Sequence, residues 1–187
     1  MMSMRINDII KICGTQAKIG AEVGVWQGNL SKKLLNNMPN LFLYMIDSWQ
    51  VINSLDAAYS DTMMQIQSQD TFDDIYNGIK KDFIELQDRV EIKRLKSVEA
   101  AKLFNDEFFD FVFIDAEHSY VAVQQDVGCW WPKVKYNGWL CGDDYNHINF
   151  PGVKLAVDEF STAVKAEVIS RGKCWFIQRL NNKIATQ

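Results

Sequence analysis

Three carboxylates follow two apolar runs of the sequence. Asp115 comes directly after residues 109–114, and Asp143 and Asp144 come just after residues 136–141. Carboxylates that crowd together without a cation repel one another, and one of them then takes up a proton. A divalent cation removes this repulsion, and all-oxygen ligands favour Mg²⁺, Mn²⁺ or Ca²⁺ over Zn²⁺. We therefore predict a metal site of Asp115, Asp143 and Asp144 for Mg²⁺ or another divalent cation. The alternative is that Asp143 and Asp144 only cap a turn.

Both histidines of the chain, His118 and His147, lie within a few residues of these carboxylates. Imidazole titrates near neutral pH and often serves as a general acid or base in enzymes. We therefore assign catalysis to His118, His147 and Asp115, with His118 as the favoured base. The alternative is that each histidine is a structural hydrogen-bonding residue.

A glycine-containing turn follows the first apolar run, in residues 22–28 (EVGVWQG). A dinucleotide site would have G-x-G-x-x-G, but Trp26 stands where the middle glycine would be. The acidic Glu22 before Gly24 would repel a pyrophosphate and suits a cationic ligand. Asp47 ends the second apolar run about twenty residues later, where such folds place an acid that accepts from both ribose hydroxyls. The alternatives are a plain strand-to-helix turn and a solvated or capping Asp47.

The elements that must position these residues alternate along the chain. Apolar runs typical of buried strands occur at residues 18–25, 41–46, 90–95, 109–114 and 136–141, and segments with helical spacing lie between them. This alternation predicts an α/β fold with a doubly wound, mostly parallel sheet. Residues 167–170 and 174–179, joined by Arg171-Gly172, predict a closing antiparallel hairpin, which brings the sheet to seven strands. Ligands of such sheets bind beyond the carboxyl ends of the strands.

Composition limits the class of protein. The 187 residues suit one domain over 1–187, and the net charge of -4 offers no basic surface for nucleic acid or an anionic membrane. The four cysteines have no C-x-x-C spacing, so a zinc or redox site is not indicated, and free thiols suit a cytoplasmic protein. No apolar run approaches the roughly 20 residues that span a bilayer. We expect neither nucleic acid nor a membrane as a partner.

Five segments, taken in order, resemble the motifs of class I S-adenosylmethionine-dependent methyltransferases, which have a Rossmann-like fold. They are residues 22–28 (EVGVWQG), 43–49 (LYMIDSW), 96–101 (KSVEAA), 110–120 (DFVFIDAEHSY) and 138–145 (GWLCGDDY), the last followed by 151–160 (PGVKLAVDEF). The resemblance implies that S-adenosylmethionine is the cofactor. The residues it places against this cofactor are Glu22, Gly24, Trp26, Gly28, Asp47, Ser48, Trp49, Ser97, Val98 and Asp115.

Within this superfamily the chain is most similar to the metal-dependent O-methyltransferases of the catechol and antibiotic-sugar types. Their metal ligands correspond to Asp115, Asp143 and Asp144. The catechol group has a lysine base three residues after the first metal Asp, and this chain has His118 there. The catechol group has extra helices before the first strand that wall the substrate pocket, whereas the first predicted strand here begins at residue 18. We expect the wall to come from a lid formed by residues 48–69 or from a partner subunit, or to be absent, and a homodimer is a family-level expectation.

The sequence thus predicts transfer of a methyl group to a hydroxyl oxygen of a small molecule such as a sugar, diol or catechol. Three alternatives stay open at this point. The first is a metal-independent methyltransferase of the same fold. The other two are a nicotinamide-dependent oxidoreductase and a non-catalytic nucleotide-binding domain.

Overall fold

A seven-stranded sheet forms the centre of the computed structural model, which describes residues 4–51 and 68–181. The strand order is β3-β2-β1-β4-β5-β7-β6. Strands β1 to β5 pair in parallel, whereas β7 pairs antiparallel with both β5 and β6. The strands are β1 (Ile19–Val23), β2 (Phe42–Asp47), β3 (Val90–Arg94), β4 (Phe109–Ile114), β5 (Val134–Gly142), β6 (Val168–Arg171) and β7 (Cys174–Gln178). The predicted mostly parallel sheet with a C-terminal antiparallel hairpin is confirmed.

Helices cover both faces of this sheet. They are α1 (Met4–Cys13), α2 (Asn29–Asn37), α3 (Gln69–Asp82), α4 (Ser97–Ala101), α5 (Tyr120–Trp130) and α6 (Pro151–Val164). Apolar residues of α1, α2 and α3 pack with Phe111 and Phe113 of β4 on one face. Apolar residues of α4, α5 and α6 pack with Val112 and Ile114 on the other. Because successive strand residues point to opposite faces, the apolar run of β4, which only Asp110 interrupts, supplies both cores.

The parallel register brings the ends of four strands to one edge, which we call the carboxyl edge. Val23 of β1 lies opposite both Ile46 of β2 and Ile114 of β4, and Ile114 lies opposite Gly142 of β5. The residues that follow these strands therefore emerge side by side, as the sequence predicted.

Two helix ends show how local contacts limit the helices. Ser119 caps α5 by accepting from the backbone N–H of Ala122 (3.3 Å). Helix α3 ends at Asp82, and a 3-10 turn covers Ile84–Leu86. Phe83 between them is buried beneath Gly28.

The proposed lid over residues 48–69 lies largely outside the described residues. Within residues 4–51 and 68–181, none of the helices has the length and apolar character that crossing a bilayer requires.

Candidate active site

The glycine turn after β1 lies directly against the end of β4. Gly24 has φ +92°, and a Cβ built on it would lie 1.9 Å from the backbone oxygen of Asp115. Its N–H donates to the Ile46 carbonyl (2.8 Å), so the turn is also tied to β2. Only glycine combines this backbone conformation with this close approach. Gly24 therefore packs the glycine turn of residues 22–28, which we call the cofactor turn, against the backbone of Asp115.

Asp47 fastens the loop after β2 to this turn. Its two carboxylate oxygens accept from the backbone N–H groups of Trp26 (2.9 Å) and Trp49 (2.8 Å). The indole of Trp49 donates to the Trp26 carbonyl (2.9 Å), which adds a second link. Burial raises the pKa of Asp47, and the backbone donors oppose that rise. A carboxylate oxygen has a second lone pair, so both oxygens can still accept from ribose hydroxyls.

The two tryptophans at this turn have different surroundings. Trp49 is fully buried and packs against the ring of Tyr76, so its indole is part of the core and has no exposed face for the cofactor. Trp26 is half-buried and meets the ring of Phe72 edge-on, with 5.6 Å between the ring centroids. Of the two, Trp26 is therefore the side chain with surface to offer a ligand.

Glu22 lies inside the protein below the glycine turn. Its side chain is 2% exposed and accepts a short hydrogen bond from the Ser31 hydroxyl of α2. Burial raises the pKa of Glu22 to about 8. This carboxyl group is therefore mostly protonated at neutral pH in the absence of a cationic ligand.

Ser97 and Val98, at the start of α4, are half-buried. The Ser97 hydroxyl donates to Asp126 of α5 and accepts from the indole of Trp130 (2.9 Å). Burial raises the pKa of Asp126 to about 7. The sequence reading did not pair Ser97 with α5, because no spacing rule joins residues 29 and 33 positions apart. At Ser48, the carbonyl accepts from Arg94 (3.4 Å), which holds the loop after β2.

The carboxylates after β4 and β5 converge with His118 between two of them. The His118 Nε2 atom lies 3.3 Å from the Asp115 Oδ1 and 2.9 Å from the Asp144 Oδ2. Asp144 has φ +60°, a left-handed conformation that turns the chain sharply after Asp143. The two neighbouring aspartates consequently face different partners.

Asp143 faces α1 instead of His118. Its side chain is 3% exposed, forms a very short ion pair with Arg5, and accepts from the Cys174 thiol (3.6 Å). The other arm of the Arg5 guanidinium donates to the Asp115 Oδ2 (2.7 Å). Sequence reasoning missed Arg5, because its contact with Asp115 depends on how α1 docks. Cys174 and Lys173 were also missed, because their contacts depend on the pairing of β7 with β5, and the Lys173 ammonium lies 4.0 Å from Asp144.

These contacts set the charges of the cluster. Burial disfavours a charge on the His118 ring, but the hydrogen bonds and charges of Asp115 and Asp144 prevail and raise its pKa to about 9. His118 in turn outweighs the effect of burial on Asp144 and lowers the pKa of that carboxyl. Burial and the nearby charge of Asp115 raise the pKa of Asp143. At neutral pH His118 is therefore protonated in this arrangement, and it must lose that proton before it can act as a base.

His147 lies in the same loop region but has other contacts. The rings of both His118 and His147 stack on Phe150, with centroid distances of 4.5 and 4.7 Å. The His147 Nδ1 accepts from the backbone N–H of Asn149 (3.2 Å). Phe150 thus links the two predicted bases into one aromatic stack beside the carboxylates.

Three side chains of the cluster could hold a divalent cation. Asp115, His118 and Asp144 each offer one ligand atom, and these atoms lie within 4.8 Å of one another. Cation-to-ligand bonds of about 2.0–2.3 Å can span such a set. Two carboxylates and one imidazole suit Mn²⁺, Fe²⁺ or Zn²⁺ better than Mg²⁺, which prefers oxygen ligands. The residues therefore fit a divalent cation. The sequence predicts Asp143 as the third ligand beside Asp115 and Asp144, but the structure groups His118 with these two aspartates.

Comparison with known proteins agrees with this arrangement at the level of family and fold. A family model described as a methyltransferase domain matches residues 21–145, which include the glycine turn and all three aspartates. No curated protein sequence matches the chain significantly.

Many solved structures share the fold. A Corynebacterium glutamicum protein has a TM-score of 0.69 at 14% identity, over 98% of this chain and 84% of its own. The O-methyltransferase NovP has a TM-score of 0.69 at 18% identity, over 95% and 80%. The TDP-rhamnose 3'-O-methyltransferase CalS11 has a TM-score of 0.60 at 10% identity, over 94% and 77%. With the family match over most of its length, the chain belongs to the methyltransferase-domain family and is a class I S-adenosylmethionine-dependent methyltransferase.

Proposed function

We propose that the protein transfers the methyl group of S-adenosylmethionine to a hydroxyl oxygen of a small molecule, with a divalent cation held by Asp115, His118 and Asp144. The observation that carries the proposal is the grouping of these three side chains at the carboxyl edge. Gly24 of the cofactor turn touches the backbone of Asp115, so the cofactor and cation sites would be neighbours. NovP and CalS11, which share the fold, are both named O-methyltransferases.

The chemistry of the acceptor supports a cation in this place. The sulfonium makes the methyl group a good electrophile, but a neutral hydroxyl is a weak nucleophile. When bound, a divalent cation would lower the pKa of the hydroxyl and orient it. The task of Asp115 and Asp144 is to hold their oxygens in a fixed arrangement beside the cofactor turn. A sugar or vicinal diol, with two oxygens to offer, suits such a site best.

The roles of the two histidines follow from the donor set. A ring nitrogen that binds a cation cannot also accept a proton, so His118 as a ligand is not the base. His147 is then the candidate proton acceptor, and Phe150 holds its ring near that of His118. The presence of an imidazole ligand also favours Mn²⁺ or Fe²⁺ over the Mg²⁺ expected from carboxylates alone.

The cofactor side of the proposal rests on the turn and on Asp47. Residues 24–28 follow directly after β1 at the carboxyl edge. The carboxylate oxygens of Asp47, which accept from backbone N–H groups, keep lone pairs for the ribose hydroxyls. Acidic side chains gathered at the carboxyl edge favour a cationic sulfonium over the phosphates of a nicotinamide dinucleotide. This argues against the oxidoreductase alternative.

A variant pair tests the proposal. Radiolabelled methyl transfer to a panel of sugars, diols and catechols is measured with Mn²⁺, with Mg²⁺ and with a chelator. We expect Asp144→Ala to lose at least about 100-fold of the cation-stimulated turnover while keeping its affinity for S-adenosylhomocysteine. The control is Asp106→Ala, which removes an exposed carboxylate that pairs with Lys133 just before β4, at the opposite edge of the sheet. Transfer that survives both the chelator and Asp144→Ala would refute the cation.

Methyl transfer without a metal is the second candidate function, and Arg5 favours it. The guanidinium already supplies a positive charge to Asp115 and Asp143. In this case the carboxylates would position the acceptor by hydrogen bonds. The chelator experiment separates the two candidates, because only the first predicts a loss of activity.

A further inference from the structure

Asp115, Asp143 and Asp144 form what we call the carboxylate cluster. Within residues 4–51 and 68–181, Arg5 is the one residue of α1 whose side chain contacts it. Its guanidinium bridges Asp115 and Asp143, which follow two different strands. His118 bridges Asp115 and Asp144 in the same way. The five side chains thus alternate in charge, from Asp143 through Arg5, Asp115 and His118 to Asp144.

The position of Arg5 is fixed by the core and not by the surface. Ile6 and Ile9, which follow Arg5 in α1 at the next position and one helical turn later, are fully buried. Asp143, to which Arg5 binds, is 3% exposed, so this is not a solvent-exposed ion pair of little consequence. The planar fork of a guanidinium can bind two carboxylates at once, which an ammonium cannot do as well.

Arg5 and a divalent cation need the same carboxylate. Asp115 gives one oxygen to Arg5 and the other to His118, and it also belongs to the group that fits a cation. A positive guanidinium 2.7 Å from this ligand opposes the approach of a second positive charge. The side chain of Arg5 is nevertheless 36% exposed, so one arm of its guanidinium can leave Asp115 while the other stays on Asp143 and Ile6 and Ile9 keep α1 in place.

We propose that Arg5 is a built-in competitor for the divalent cation and sets the affinity of the cluster for it. The inference rests on the cation site of the proposed function. Without metal, Arg5 neutralises Asp115 and Asp143 and keeps the strand tips together. Metal binding weakens the Arg5–Asp115 contact, while the buried contact of Arg5 with Asp143 is the one that persists.

Direct measurement of Mn²⁺ binding tests the proposal without any need for the methyl acceptor. Free Mn²⁺ is counted by its electron paramagnetic resonance signal during titration of the full chain. We expect Arg5→Met, which keeps an apolar stem and loses the charge, to bind Mn²⁺ at least tenfold more tightly than the wild type. The matched control is Lys11→Met, which removes one charge from an exposed position of the same helix and should bind as the wild type does.

Arg5→Lys provides a second variant that keeps the charge and is less disruptive to folding. Its ammonium bridges the two carboxylates less well than a guanidinium does, so its affinity for Mn²⁺ should fall between those of the wild type and Arg5→Met. Thermal unfolding gives an independent readout. Arg5→Met should unfold at a lower temperature than the wild type in chelator, and saturating Mn²⁺ should raise its midpoint by more than it raises that of the wild type.

The outcomes separate this inference from the proposed function. Tighter binding in Arg5→Met, with Lys11→Met unchanged, supports the competition. Equal Mn²⁺ affinity in wild type, Arg5→Met and Arg5→Lys overturns it and leaves the cation site itself intact. If neither the wild type nor Arg5→Met binds Mn²⁺, both the competition and the cation are refuted, while calorimetric binding of S-adenosylhomocysteine reports on the methyltransferase assignment alone.

Discussion

The cofactor turn and the carboxylate cluster lie side by side at the carboxyl edge, but different kinds of groups satisfy their acids. At the cofactor turn, Asp47 accepts from backbone N–H groups of its own loop and of the turn beside it. In the cluster, Asp115, Asp143 and Asp144 are bound by side chains, among them one that lies 110 residues away in the sequence. The first region has fixed backbone partners, and the second has partners that can be exchanged.

This difference has a physical consequence for the two regions. Backbone donors at a turn cannot leave without unfolding that turn, so the cofactor region is set once the strands form. Side-chain cations can rotate away, so the contacts of the cluster can change without unfolding of the backbone around it.

The contact between the two regions is where the largest effect is expected. Gly24→Ala would place a Cβ against the backbone of Asp115 and would strain a residue with φ +92°. We expect it to destabilise the protein by at least about 3 kcal/mol, or to prevent folding. Gly172→Ala is the matched control, because Gly172 has φ +58° but open space around it, and it should cost only about 1 kcal/mol. Urea unfolding of both variants makes the comparison, and equal losses would contradict the close approach at Gly24.

The burial of Glu22 predicts a pH dependence on the cofactor side. The folded pKa of about 8 exceeds the ordinary value of 4.5, so the folded state holds its proton longer than the unfolded state. The contribution of Glu22 to the free energy of unfolding should therefore fall as pH rises between about 5 and 8, and level off above that range. Glu22→Gln does not titrate, so its stability relative to the wild type should grow over this window, by on the order of 5 kcal/mol at pH 9.

Chemical denaturation at several pH values measures this difference. The titration of His118 occurs in both proteins and cancels in the comparison. Glu85→Gln, at an exposed position, is the control and should show no such trend. A difference between Glu22→Gln and wild type that does not change with pH would contradict the raised pKa.

A smaller effect is expected at Asp47, whose carboxylate accepts from backbone N–H groups and is predicted to bind the ribose as well. Asp47→Asn replaces one acceptor oxygen by an NH₂ group that faces a backbone donor, so we expect about a tenfold loss of affinity for S-adenosylhomocysteine. Asp110→Asn is the control, because Asp110 also accepts from two backbone N–H groups, those of Lys18 (2.7 Å) and Ile19 (2.9 Å), at the opposite edge. Calorimetry should show unchanged affinity in Asp110→Asn. Equal affinities in all three proteins would remove Asp47 from the cofactor site.

The strands could be predicted because their signals are local. Residues 109–114 form an apolar run that only Asp110 interrupts, and β4 covers the same six residues. Serine is a residue type that commonly caps helices, and the Ser119 side chain caps α5. The position of the aspartates at one edge followed from the parallel topology alone.

The partners of those aspartates could not be predicted in the same way. That Asp143 turns to Arg5 and Asp144 to His118 depends on a left-handed residue at 144, which no rule assigns to an aspartate in advance. The Arg5 contact depends on the docking of α1 through Ile6 and Ile9, a tertiary event. The pairing of Ser97 with Asp126 likewise arises only when α4 and α5 pack together.

The position of β7 between β5 and β6 has a consequence for protein synthesis. Cys174 and Lys173 reach Asp143 and Asp144 only when β7 pairs with β5, and Arg5 comes from the first helix. While the ribosome is still adding residues before 174, α1 and strands β1 to β4 can already have emerged, but the strand that pairs with β5 is missing. The carboxylate cluster is therefore completed last, after the turn that follows β1 has taken shape.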